Sequence, residues 1–171
     1  RKISKTTKQD YRGYRAVRTN KSSPELIKME LDNIVIDNNS EMPVILLKES
    51  NGNRYLLIWI GISEAYSIAM ALSEVKTPRP MTHDLMLNTL QQLKINVESI
   101  EISQIVFDTY FAFINLRLSD GNIIKIDSRP SDGLALAVRI KCEIFAAKGV
   151  LDLMGIEFKN RIEKEKQFKE I

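Results

Sequence analysis

The sequence predicts an α+β fold: one compact domain with a mixed, largely antiparallel sheet and about three packed helices. Apolar runs of strand length outnumber helical periods, and they do not alternate with helices as βαβ units would. At 171 residues, 44% hydrophobic and 27% charged, the chain has the composition of a domain able to bury its own core. No apolar run approaches the roughly 20 residues of a membrane span. No signal-peptide pattern opens the chain, and no membrane partner is expected.

Residues 1–24 are polar and without apolar period, and are expected to form a basic, flexible arm. They carry eight Lys and Arg against Asp10, a net of +7; set against +3 for the whole chain, this leaves the remainder at −4. The domain expected over residues 25–154 is therefore not itself a basic nucleic-acid platform. The arm could add salt-sensitive phosphate affinity or serve as a solubilising tail.

"LIKMELDNIVID" alternates as a first strand. "MPVILLKES" and "NRYLLIWI" flank Asn51-Gly52, which predicts a hairpin with a type I′ turn. "SEAYSIAMALSEV" places Ala65, Ile68, Ala69, Leu72 and Val75 at helical spacing, with Ser63 as N-cap. After the prolines of "KTPRPM", Thr82 is expected to cap a second helix running to about Lys94. "VESIEISQIV", "YFAFINLRL" and "NIIKID" read as strands, the last two joined by the turn residues Ser119 to Asn122. Pro130 suits the first turn of a third helix, "SDGLALAVRIK", and "EIFAA" follows as a short strand. Residues 155–171 interleave acids and bases as a solvated helix would. Trp59, the aromatics from Phe107 to Phe113 and Met70, Met81 and Met86 read as core. The single cysteine, Cys142, supports neither a disulfide framework nor a zinc set within one chain, and an intracellular compartment is expected, the cytoplasm ahead of an organelle.

Two phrases carry chemistry. "RPMTHD" groups Arg79, Thr82, His83 and Asp84 where a helix begins; "DSRPSD" groups Asp127, Ser128, Arg129, Ser131 and Asp132 at a strand-to-helix junction. A helix N-terminus exposes unpaired N–H groups and partial positive charge, and an arginine fork beside it can bind phosphate oxygens. Ordinary capping accounts for Thr82, Ser128, Ser131, Asp84 and Asp132 equally well, and Arg–Asp pairs also brace structure. If the phrases handle phosphodiesters, Arg79, Thr82, Ser128, Arg129 and Ser131 would bind phosphate. Asp127 and Asp132, with Glu64, would hold a divalent cation such as Mg²⁺ or Mn²⁺. His83, the one histidine, with Asp84 would move protons. The plain alternative for His83 is a helix-start side chain bonding a neighbouring carbonyl. No P-loop, dinucleotide fingerprint or nucleophile elbow is present.

"LLIWIGISEAYSIAMAL", "PRPMTHDLMLNTL" and "DSRPSDGLALAVR", in this order, resemble the bifunctional nuclease domain family over roughly Ile27 to Asp152. The resemblance implies degradation of both RNA and DNA with little sequence preference. Matching positions are Glu64; Arg79, Thr82, His83 and Asp84; and Asp127 to Asp132. Gly133 stands where alanine is expected, at a small cost in helix stability and none in chemistry. The expected function is thus metal-assisted hydrolysis of RNA and DNA. The alternatives are a non-enzymatic module that binds phosphate or another anion, and a structural scaffold assembled as a homo-oligomer.

Overall fold

The computed structural model describes residues 24–170. The basic arm expected over residues 1–24 therefore lies almost entirely outside the described residues. Among the described residues eight strands form one mixed sheet. β1 (Leu26–Asp37), β2 (Pro43–Glu49) and β3 (Tyr55–Trp59) are antiparallel neighbours. Two helices follow, α1 (Ile62–Leu72) and α2 (Thr82–Gln92). β4 (Asn96–Val106), β5 (Thr109–Arg117) and β6 (Ile123–Ser128) make an antiparallel meander. α3 (Pro130–Ile140) then crosses back over β5 and β4, and β7 (Glu143–Ala147) inserts between β1 and β4. The β4–β7 pair is parallel; every other pairing is antiparallel. The strand order is β3-β2-β1-β7-β4-β5-β6, which leaves β6 at an edge.

Alternation along the strands decides which side chains meet the helices. One sheet face carries Ile45, Leu47, Leu56, Ile58, Ile100, Ile102, Ala112, Ile114 and Ile144, packed with Ala65, Ile68, Leu87 and Leu134 to Ala137 of the helices. The other face of β1–β3 buries Val35, Val44, Leu46 and Leu57 beneath Phe158 and Phe168. Those two rings come from the charged tail, which is not one solvated helix. It holds a short helix, α5 (Arg161–Gln167), and a last strand, β8 (Phe168–Glu170), paired with β1. A further helix, α4 (Lys148–Met154), buries Val150 and Leu151 and was not expected.

Local chemistry moves several boundaries. The hairpin at Asn51-Gly52 exists, but neither residue has positive φ, so its turn is not type I′. Arg54 instead forks onto Glu49 with bonds of 2.8 and 2.9 Å and props open a wider loop. The tight turn with both central residues left-handed is Phe107-Asp108, φ 46° and 58°, which joins β4 to β5. Its position puts Phe107 in solvent, and Trp59 is half-exposed, so neither is core. Ser63 and Thr82 lie inside their helices; the caps are Gly61 and Met81, the latter bonded through its N–H to Asp84 Oδ2 at 2.9 Å. α2 stops before Lys94, which turns left-handed at φ 57°. Cys142 is half-buried, and burial pushes its thiol up to about 11. Among the described residues no helix is long and apolar enough to cross a membrane.

Candidate active site

The first turns of α1, α2 and α3 converge, and the two Arg-Pro phrases meet through them. Arg129 is extended, φ −72° and ψ 148°, as the residue before a proline is pushed to be. From there its guanidinium donates from Nε and NH2 to both oxygens of Asp132, at 2.8 and 2.9 Å. NH1 donates to Glu64 Oε1 at 2.7 Å. Glu64 sits in the first turn of α1 and folds back over Gly61, where a Cβ would fall 2.2 Å from its Oε2. That glycine is what lets the carboxylate lie there.

From Asp132 the network passes to α2 and returns to α1. His83 Nε2 faces Asp132 Oδ1 at 3.5 Å, and its Nδ1 is 2.9 Å from Ser67 Oγ. Arg139, two turns after Asp132 on α3, donates from NH2 to Ser67 Oγ at 3.2 Å and from Nε to Asp84 Oδ1 at 2.7 Å. Its NH1 donates to the Ala135 carbonyl at 2.8 Å. Seven side chains from three helices and one N-cap form a continuous polar chain: Glu64, Arg129, Asp132, His83, Ser67, Arg139 and Asp84. Polar networks of this kind hold their members in place.

The electrostatics follow from these partners. Burial alone would raise the Asp132 carboxyl; the Arg129 bonds and charge, with His83, more than reverse this and leave it below the ordinary aspartate value. Arg139 holds Asp84 low against the opposing effect of burial. Glu64 is lowered by its own backbone N–H and by Arg129. The side chains of Arg139 and His83 are 10% and 15% exposed, against 64% for Arg129. The Arg129 guanidinium therefore faces solvent. It borders a cleft of about 340 Å³ between the end of β3, the β4–β5 turn and the start of α3, lined by Trp59, Gly61, Glu64, Tyr110, Arg129 and Ser131 among others.

Not every expected residue joins. Asp127 pairs with Phe113 across β5 and β6, alternating with Ala112 and Ile114, so it projects from the opposite sheet face. It is exposed and has no hydrogen-bond or ion-pair partner among the described residues. Asp127, Asp132 and Glu64 therefore do not converge on one cation, because two hold Arg129 and the third lies across the sheet. Among the described residues no three His, Cys, Asp or Glu side chains group so as to hold a metal ion. Arg79 is exposed in the loop before α2, its side chain without a partner among the described residues. Among the described residues Thr82 opens α2 without a side-chain bond, and Ser128 has a buried, unpartnered hydroxyl on the core side of β6. Ser131 is buried in the cleft wall.

Ser67 and Arg139 belong to the network without standing in either phrase. Their helical spacing carries a faint signal: Ser67 is one turn beyond Glu64, and Arg139 two turns beyond Asp132.

Comparison with known proteins gives a consistent result. A family model described as bifunctional nuclease domain matches residues 45–159, a span that contains all seven side chains of the network. An "Uncharacterized protein" of Mycobacterium tuberculosis is 38% identical over 123 residues, which cover 72% of this chain and 73% of that protein. "Bifunctional nuclease 1" of Oryza sativa subsp. japonica is 29% identical over 104 residues, 58% of this chain and 31% of its own length. "Bifunctional nuclease 1" of Arabidopsis thaliana is 28% identical over 105 residues, 60% of this chain and 32% of its own.

Proposed function

The chain belongs to the bifunctional nuclease domain family, and from that premise we propose that it hydrolyses phosphodiester bonds of RNA and DNA, with little sequence preference, where His83, Asp132, Arg129 and Glu64 meet. The observation that carries the reading is the Ser67–His83–Asp132–Arg129 line of contacts, which ends at a cleft beside two helix N-termini.

A site that cleaves both polymers cannot depend on the 2′-hydroxyl, which DNA lacks, so the nucleophile is water. Ser67 occupies Nδ1 of His83 and leaves Nε2 for chemistry. The 3.5 Å between Nε2 and Asp132 is too long for a good hydrogen bond. It is short enough for the carboxylate to stabilise the imidazolium formed when Nε2 takes the water proton. The water oxygen bonds to phosphorus, the bond from phosphorus to the leaving sugar oxygen breaks, and that oxygen takes a proton from solvent. Arg129, exposed and already charged, receives the phosphate through its remaining N–H groups and offsets charge building on the phosphoryl oxygens. Glu64 and Asp132 hold the guanidinium in place for that task. The carboxylates do not fit the divalent cation expected from sequence, so no step is routed through one.

A second reading, phosphate binding without hydrolysis, draws on the two carboxylates that already neutralise Arg129. Labelled single-stranded RNA and DNA incubated with the wild-type chain, Arg129→Ala and His83→Ala separate the two. Hydrolysis predicts cleavage by wild type that both substitutions reduce. Binding that Arg129→Ala weakens, without cleavage by any form, would favour the second reading.

A further inference from the structure

Among the described residues the strand β6 ends the sheet with an unpaired edge, and its sequence Ile123-Ile124-Lys125-Ile126-Asp127-Ser128 is complementary to itself. We propose that this edge binds a second copy of the chain, with the two β6 strands antiparallel about a two-fold axis at Ile126. The inference is independent of the hydrolytic reading, and it gives a partner to Asp127, which the active-site cluster leaves out.

The register follows from alternation and charge. A two-fold axis perpendicular to a continuous sheet keeps each face on its own side, so a residue can only oppose one of the same parity. Ile124 and Ile126 share the core-side face of β6, whereas Lys125 and Asp127 share the other. Centring the axis on Ile126 sets Lys125 opposite Asp127 of the second copy, twice, and Ile126 opposite itself. Moving the centre by one residue sets Lys125 against Lys125 or Asp127 against Asp127, and like charges directly opposite are destabilising.

The apolar side supports the same choice. Ile124 and Ile126, 39% and 40% exposed, are adjacent on one face of a free edge. A lysine alone would guard such an edge against pairing; an aspartate two residues later turns the guard into a complement. Lys125 Nζ bonds Glu101 Oε2 at 2.5 Å, reaching back across β5, and in the dimer it swings from that contact to the second copy's carboxylate across the edge. The arrangement puts the two Arg129 positions roughly 20 Å apart along the joined edge, six residues at strand rise.

Sedimentation velocity over a wide concentration range tests this on the full chain. The expected result is a dimer for wild type and a monomer for Asp127→Lys, whose folding is checked by circular dichroism. Under mild oxidation, Ile126→Cys should cross-link to its own copy, and Ile124→Cys, which faces Ser128 of the second copy, should not. The wild-type chain controls for Cys142. A monomeric wild type, an Asp127→Lys dimer, or equal cross-linking at 124 and 126 overturns the proposal.

Discussion

His83 Nδ1 lies 2.9 Å from the hydroxyl oxygen of Ser67, a buried residue of a different helix. Arg139 donates to the same hydroxyl, so the imidazole is fixed from below, and Nε2 is the nitrogen turned toward Asp132. Because the chain has one histidine, its ring can be followed without assignment. A base acting through Nε2 requires neutral His83 to carry its proton on Nδ1, and ¹⁵N chemical shifts should report that tautomer. A ring protonated on Nε2 at neutral pH would refute this role.

Ser67→Ala removes the anchor while leaving the core volume almost unchanged. Cleavage should fall by roughly 10- to 100-fold through misplacement of His83. The loss should sit in kcat rather than KM, since Ser67 lies behind the ring, away from the bound phosphate. Stability should fall by about 1–3 kcal/mol, because one N–H of the buried Arg139 loses its acceptor. Unchanged kcat would mean that Ser67 braces the fold and nothing else.

Arg129 occupies the two carboxylates that a cation would need. Arg129→Ala should therefore improve Mn²⁺ binding at Glu64 and Asp132 while weakening RNA and DNA binding. Paramagnetic broadening of the His83 ring signals measures the first effect and fluorescence anisotropy the second. Tighter Mn²⁺ binding by wild type than by the variant would show that the guanidinium is not in the way.

Asp84, Asp132 and Glu64 all have lowered pKa values in the folded chain. The stability they contribute is complete above their unfolded values, roughly 4, and is lost as pH falls through the lower folded values. Urea unfolding should thus show a falling midpoint below about pH 4. Asp84→Asn should flatten part of that fall, and an identical slope in wild type and variant would remove Asp84 from the account.

Gly133 is where sequence reasoning and packing part most clearly. Alanine is the better helix former by about 1 kcal/mol, yet a Cβ at Gly133 would fall 2.8 Å from Cγ2 of Ile100, an atom fixed on a buried strand. Gly133→Ala should destabilise by about 1–3 kcal/mol as an overpacked core does. A raised melting temperature would show that Ile100 can move aside.

The same contrast runs through the whole reading. β1 to β6, the helix opened by Pro130 and the two polar helix starts were legible because each rests on local chemistry: alternation, a proline, a cluster of caps. Phe107-Asp108 as a left-handed turn was not, since neither residue advertises it and the register of β4 on β5 imposes it. Asp127 looked like a ligand because it stands at a strand end, a rigid mount; strand alternation sends it to the far face. Ser67 and Arg139 stayed hidden for the opposite reason. They meet His83 and Asp84 only when three helices pack, and no short window of sequence contains that contact.

The central claim is tested most directly by single-turnover cleavage of matched RNA and DNA strands by wild type and His83→Ala. The account predicts that wild type cleaves both and that the substitution slows both together by at least roughly 100-fold. Equal rates for the two proteins, or loss of one substrate with the other untouched, would contradict it.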